Sequence, residues 1–357
     1  MRGSTARSSR AEISERGRLA GRALRTQMSS DEDVPLNVKV AAHQAAAKRK
    51  RAEPAPPTAP QKSHKPKGGG GPLKPPPGYR RMPFVEFVAA RQAVLAARRA
   101  NQHEWTADFV LQNAKFCNID RRDDAVTAEL LAQLEAHPAW RLRERVLLAA
   151  ALRFTSSRRA EAAVLAELVE AGRARDGKEA AGPSPLRQAL DQNAIRCGAG
   201  TYQMALSQRQ VATVVEAMAT AVVDRVAAEG PFADVQEASD VVAANMTVGI
   251  RPQFSANETA KDFAYIDGLM QAASHHRCRL GPGAKKGLAL VRAERAGGGA
   301  LGSVDDAVHA LRAELRAAAG LGWVETIDVE QALCEFAKYV AYCTTGISAS
   351  KRYVRAA

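Results

Sequence analysis

Several absences narrow this chain before anything present in it does. Its 357 residues hold five cysteines, Cys117, Cys197, Cys278, Cys334 and Cys343, and no two of them form a C-x-x-C pair. That spacing argues against a structural zinc site and a dense disulfide framework. A reducing compartment is the simple expectation. No apolar run reaches the roughly 18 residues of a membrane span. The longest apolar helical stretch, around Val211–Val223, is broken by Glu216. The N-terminus lacks the apolar segment of a secretory signal. Neither the phosphate loop G-x-x-x-x-G-K-[ST] nor the nucleophile elbow G-x-S-x-G occurs. Histidine and cysteine spacing supports neither a metal site nor a Cys–His pair, so no metal and no cofactor are expected. Strand-like alternation is nearly absent.

Charge is unevenly placed. Residues 1–82 carry 18 Lys/Arg against 6 Asp/Glu, and the remainder carries 33 against 32. The basic character therefore belongs to the N-terminal segment, and a basic folded surface does not follow from the overall pI. Residues 1–82 are rich in Ala, Pro, Gly, Lys and Arg, with Tyr79 as their only aromatic. They read as a disordered tail, with a short helix expected around Glu12–Gln27. Within the tail, Lys48-Arg49-Lys50-Arg51 fits a nuclear import signal or a phosphate-contacting patch, and equally a solubilising charge run. The expected location is the nucleus, otherwise the cytoplasm.

From Pro83 the pattern becomes helical. Phe84, Phe87, Val88, Val94 and Leu95 recur at helix spacing. Further helices are expected at 127–136, 140–154, 158–171, 185–195, 208–228, 235–245, 256–273, 284–295, 304–318 and 326–342. The fold class is all-α: one multi-helix domain over 83–349 with a helix-hairpin-helix-like element, then a short basic tail at 350–357. Arg173–Ser184 and Gly297–Gly302 read as surface loops.

Four motifs stand out. At about 100° per residue, 328–342 splits into an apolar face and a polar face. The polar face gathers Asp328, Glu335, Tyr339 and Tyr342, with Lys338 at its edge. It suits acid/base or binding chemistry, or a plain solvated face. Leu280-Gly281-Pro282-Gly283-Ala284-Lys285-Lys286-Gly287 resembles a phosphate-backbone clamp, in which free N–H groups at a helix start and adjacent lysines hold phosphate. It also fits an ordinary turn. Asn118-Ile119-Asp120-Arg121-Arg122-Asp123-Asp124 packs opposite charges too tightly for a simple amphipathic face. Asp124 is a candidate helix cap, and the arginine pair a candidate bidentate grip on phosphate or carboxylate. Upstream, Thr106 in Trp105-Thr106-Ala107-Asp108 is a candidate cap of a short helix. Gly198-Ala199-Gly200-Thr201-Tyr202 is a weaker glycine-rich approach to a helix.

Taken in order, Trp105-Thr106-x-Asp108, the 116–124 block, Gly281-Pro282-Gly283-x-x-x-Gly287-Leu288 and Asp328-Val329-Glu330-x-x-Leu333-Cys334-Glu335-Phe336-x-Lys338-Tyr339 resemble a known family. It is the helical domain associated with 5-hydroxymethyl-deoxyuridine DNA kinases, in the alpha-glutamyl/putrescinyl thymine pyrophosphorylase-like clade of thymine hypermodification systems. The resemblance covers 83 to about 345. It implies a DNA-glycosylase-like helical domain that acts on or recognises 5-hydroxymethyluracil derivatives in DNA. It makes Asp328, Glu335, Lys338 and Tyr339 the candidate catalytic residues. Arg121, Arg122, Gly281, Gly283, Lys285 and Lys286 become the candidate DNA contacts, with Asn118, Asp123 and Asp124 as accompanying motif positions. The implied partners are DNA and a separate kinase or thymine-oxidising enzyme, since this chain has no P-loop; no membrane partner is expected. The enzyme reading is a base-modifying transferase or a glycosylase-like activity. The alternative is a non-catalytic scaffold or adaptor whose nucleic-acid affinity comes from the basic tail.

Overall fold

A computed structural model describes residues 71–102, 104–155, 159–173, 184–191, 208–246, 252–271, 277–295, 301–318 and 320–353. The expected Glu12–Gln27 helix, the Lys48–Arg51 block, most of the tail and the Gly198–Tyr202 stretch lie outside them. All described residues belong to one unit, Lys65–Ala357. Among them there are twelve α-helices, two 3-10 turns and no strand beyond isolated bridges. The fold is all-α. No described helix is long and apolar enough to cross a membrane.

Helix starts follow local chemistry. α1 (Phe84–Arg99) begins after Pro83 and buries Phe84, Phe87, Val88 and Val94. α2 (Phe109–Asn113) is capped by Asp108, whose carboxylate accepts from Leu111 N. The expected cap, Thr106, instead accepts from Asp108 N and so holds the capping residue in place. α3 (Ala125–Ala136) is capped by Asp124, as its position suggested. α4 (Leu142–Thr155) is buried at every position from Val146 to Thr155, which makes it a central helix. α5 (Arg159–Arg173), α6 (Pro185–Asp191), α7 (Gln208–Glu229) and α8 (Val235–Ala244) pack around it or onto one another. α9 (Pro252–Phe263) lies along α8 and against α4.

α9 departs from the expected 256–273. It starts earlier, at Pro252, and ends at Phe263, where the Tyr265 and Ile266 N–H groups fold back onto the Asp262 and Phe263 carbonyls. Gly268 at φ +79° continues the turn, a conformation that favours glycine.

The last three helices build the second half of the core. α10 (Pro282–Glu294) has Pro282 in its first turn, α11 (Val304–Ala317) starts with a Ser303–Asp306 capping box, and α12 (Thr326–Thr345) ends at Gly346, φ +81°. α10 runs along α12, and α1 and α11 also lean on α12. Phe84, Phe87, Phe336 and Tyr339 meet there, with ring centroids 4.9–6.2 Å apart.

Candidate functional site

The polar face of α12 is covered, not open. The segment between α2 and α3 lies across it and hands its backbone N–H groups to the helix. Asp328 Oδ1 accepts from Arg121 N at 2.9 Å, and Glu335 Oε2 accepts from Cys117 N at 3.0 Å. Phe116 sits edge-on to Tyr342, 5.8 Å between centroids. The four candidate catalytic residues consequently divide among three hydrogen-bond networks.

Glu335 and Lys338 stay together. The Glu335 carboxylate is fully buried and accepts from Lys338 Nζ at 2.5 Å. The Lys338 side chain is 42% exposed, so the pair reaches from the core to solvent. Burial works against the Lys338 charge, but Glu335 outweighs it and holds the ammonium above its ordinary value. Burial and the nearby Glu335 carboxylate together push the Cys117 thiol up to about 11. The cluster combines a buried carboxylate with a protonated amine at the surface. It can stabilise an anion or relay a proton.

Asp328 occupies a second network. Its other oxygen accepts from Glu325 N at 2.9 Å, completing a capping box at the start of α12. Burial nonetheless raises its carboxyl from the ordinary 3.8 to about 7 against those two backbone hydrogen bonds. The folded value lies above the unfolded one. This group's contribution to stability is full below about pH 4 and is lost as pH rises through about 7. A carboxyl-carbon NMR titration, assigned with Asp328→Asn, is expected to show a midpoint near 7. A midpoint within the ordinary carboxylate range would remove Asp328 as a group poised for proton transfer near neutrality.

Tyr339 belongs to a third network, at the other end of α12. Its hydroxyl donates to Asp108 Oδ2 at 3.0 Å, meets the Tyr79 hydroxyl at 2.8 Å and accepts from Met82 N at 3.1 Å. Tyr79 also donates to Asp108 Oδ2, at 2.5 Å. Burial raises both phenols. This network fastens the chain ahead of α1.

Arg121 and Arg122, paired in sequence, have opposite surroundings. Arg121 is 4% exposed and buried in an ionic lattice, where it donates to Glu258 Oε2 at 2.6 Å and Asp262 Oδ1 at 3.2 Å. Arg153 donates to both oxygens of Asp262, at 2.6 and 2.8 Å, and to Asp124 at 3.1 Å. Lys261 bridges Glu258 at 2.6 Å and Glu330 at 2.7 Å. Burial would raise the Glu258 carboxyl, but Lys261 and Arg121 hold it well below the carboxylate range. Arg122 instead forks onto Asp120 through Nε and Nη2, at 2.9 and 2.8 Å, and lies over Trp323 at 5.6 Å. Its side chain is about half exposed. Asp123 pairs with Arg99, and Asn118 Nδ2 donates to Asp123 O. Asn118, Asp123 and Asp124 thus shape the turn that carries the arginines.

The glycine-rich stretch has its own arrangement. α9 and α10 are joined by residues 264–281, a longer link than a tight hairpin. Gly281 N donates to Glu330 Oε1 at 3.1 Å, so a side chain of α12 already occupies the start of α10. A Cβ on Gly283 would lie 2.5 Å from Cys334 Sγ, and one on Gly287 would lie 2.0 Å from the Leu333 carbonyl oxygen. These two glycines let α10 and α12 touch. Lys285 and Lys286 point away from that seam and are exposed.

Against known families, the sequence model described as 5-hmdU DNA kinase, helical domain, matches residues 81–349. The chain belongs to this family. No curated protein and no solved structure matches it.

In this member of the 5-hmdU DNA kinase helical-domain family, two features escaped the sequence reading. Tyr79 lies just ahead of the matched residues, in a proline-rich segment that composition assigns to the tail. Its one signal was that it is the sole aromatic of that segment. On α9, Asn257-Glu258-Thr259-Ala260-Lys261-Asp262 is polar at five of its six positions, yet every one of these residues is at most 5% exposed. Among the described residues no cluster of His, Cys, Asp and Glu is arranged to hold a metal.

Proposed function

We propose that this helical unit binds DNA and acts on, or recognises, thymine or uracil bases modified at the 5-position, 5-hydroxymethyluracil and its derivatives, without kinase activity of its own. The observation that carries this reading is the family match across 81–349. The lack of a P-loop in the sequence favours a separate kinase as partner, together with an enzyme that oxidises thymine. Glu335 with Lys338 is the pair best suited to the chemistry. The carboxylate is shielded from water and the ammonium faces outward, where a leaving phosphate would need a cation. Lys285, Lys286 and Arg122 are exposed cations available to DNA phosphates. The Lys48–Arg51 block suits nuclear import.

The second reading, an adaptor that binds through its tail, rests on the excess of 18 basic over 6 acidic residues in 1–82. Full-length protein separates the two. Its binding to duplexes containing thymine, 5-hydroxymethyluracil or the phosphorylated base is measured over a salt series. Lys285→Ala with Lys286→Ala is expected to weaken binding to all three and to lower the salt slope by about 2. Neutralising Lys48, Arg49, Lys50 and Arg51 should leave any preference for the modified base intact. If the lysine pair changes nothing while the tail substitutions abolish binding, the adaptor reading replaces the first. Nucleoside mass spectrometry of the incubated duplexes then separates an enzyme, which changes the base, from a reader, which does not.

A further inference from the structure

The ionic lattice beneath α9 neutralises its arginines with carboxylates. α1 contains two arginines for which nothing comparable is supplied. Arg91 is 3% exposed, yet among the described residues its side chain's hydrogen bonds run from Nη2 to the Phe116 and Cys117 carbonyls, both long at 3.3 Å. The Arg98 guanidinium forms no ion pair or hydrogen bond with any described residue. It lies against the T-shaped pair of Trp105 and Tyr353, 4.1 and 4.2 Å from their centroids. The Nε of each arginine is buried and has no hydrogen-bond acceptor.

The two residues are seven apart on one helix, hence on one face. Their charges are close enough that Arg98, after burial, contributes to lowering Arg91 to about 10. The carboxylate that favours the Arg91 charge is Glu335, which is already committed to Lys338 and Cys117 N. Contact with aromatic faces offsets part of the cost of taking a guanidinium from water, but it leaves the in-plane N–H donors unused. Burial of paired charge is ordinary; burial of Arg91 beside the half-buried Arg98, without a counter-ion of its own, is not.

We propose that the Arg91–Arg98 face of α1, at the seam with the 113–117 segment and Tyr353, is an anion site that takes phosphate oxygens. The forked donors of two guanidiniums match a phosphate. The phosphate has two sources, a nucleic-acid backbone and a free phosphate group. The site lies on elements distinct from α10, so it does not depend on Lys285 and Lys286 serving DNA.

The test uses the full chain and Arg98→Gln, chosen because Arg98 is the less buried of the two and makes no hydrogen bond that its loss would break. Inorganic phosphate is titrated against chloride at equal ionic strength, and the melting temperature is followed. The expected result is a saturable rise with phosphate for the wild type that is absent in Arg98→Gln. An unmodified duplex is then added. If DNA removes the phosphate-dependent rise and Arg98→Gln lowers the salt slope of DNA binding by about 1, the anion is a backbone phosphate. If phosphate still raises the melting temperature in saturating DNA, the site takes a free phosphate. Equal melting in phosphate and chloride, with DNA affinity and salt slope unchanged in Arg98→Gln, overturns the proposal.

Discussion

Lys261→Met is expected to cost the fold about 3–5 kcal/mol, a large part of the roughly 5–15 kcal/mol that usually separates folded from unfolded chains. The ammonium is 1% exposed and is the shared partner of Glu258 and Glu330. Without it, Glu330 keeps its bond from Gly281 N, and Glu258 keeps Arg121. Two carboxylates on neighbouring helices then lie in the core with too little positive charge. The loss reflects stranded charge more than the intrinsic worth of the pair. Adding Glu330→Gln to the Lys261→Met chain should therefore restore part of the stability. Urea denaturation followed by far-UV circular dichroism measures both. An unmoved midpoint in Lys261→Met would mean that the lattice relaxes or admits water at no cost.

Gly287→Ala is expected to be nearly as damaging, through shape rather than charge. The added Cβ would sit 2.0 Å from the Leu333 carbonyl oxygen and 2.6 Å from its carbon. Both are backbone atoms of α12 and cannot rotate away. α10 must lift off α12, and the core residues between them lose contact. A cost of about 3 kcal/mol or more follows, at the upper end for overpacked sites. Gly283→Ala offers an internal control. There the obstruction is Cys334 Sγ, at 2.5 Å, so truncating the obstacle with Cys334→Ala should rescue Gly283→Ala but not Gly287→Ala. Thermal melts of the four variants decide it. Rescue of both, or of neither, would show that the helices can slide and that the glycines do not set their separation.

Much of this architecture was legible because it rests on local chemistry. Asp124 caps α3, as its neighbours suggested, and α11 and α12 start at 304 and 326, where the helical pattern placed them. Of the apolar stripe of α1, Phe84, Phe87, Val88 and Val94 are buried, and Leu95 is half-buried. Less legible were the places where a residue's role depends on partners far along the chain. Glu258, Lys261 and Asp262 carry charge on α9, and partners dozens of positions away, among them Arg121, Arg153 and Glu330, give the run its place in the core. The polar face of α12 was read correctly as unusual, but its purpose is mixed. Asp328 and Glu335 tie down the 116–124 segment through backbone N–H groups, a use that side-chain chemistry alone does not reveal. Tyr339 looked like a partner of Glu335 because the helix repeat aligns them; Tyr79 and Asp108 claim it instead. The glycines resembled a phosphate cradle because a close helix crossing and a phosphate loop both need the same missing side chain.

One detail of the fold bears on how such a unit can be joined to others. Leu73 and Ile347 exchange both backbone hydrogen bonds, at 2.9 and 2.8 Å, and Arg352 Nη2 donates to Gly71 O at 2.7 Å. The chain therefore enters and leaves the helical body at the same spot. Neighbouring ends are the condition under which a unit can be spliced into a foreign loop or given new termini with little disturbance. This geometry makes the helical body a portable cassette. Residues 71 and 353, where the described body begins and ends, lie on one shared edge.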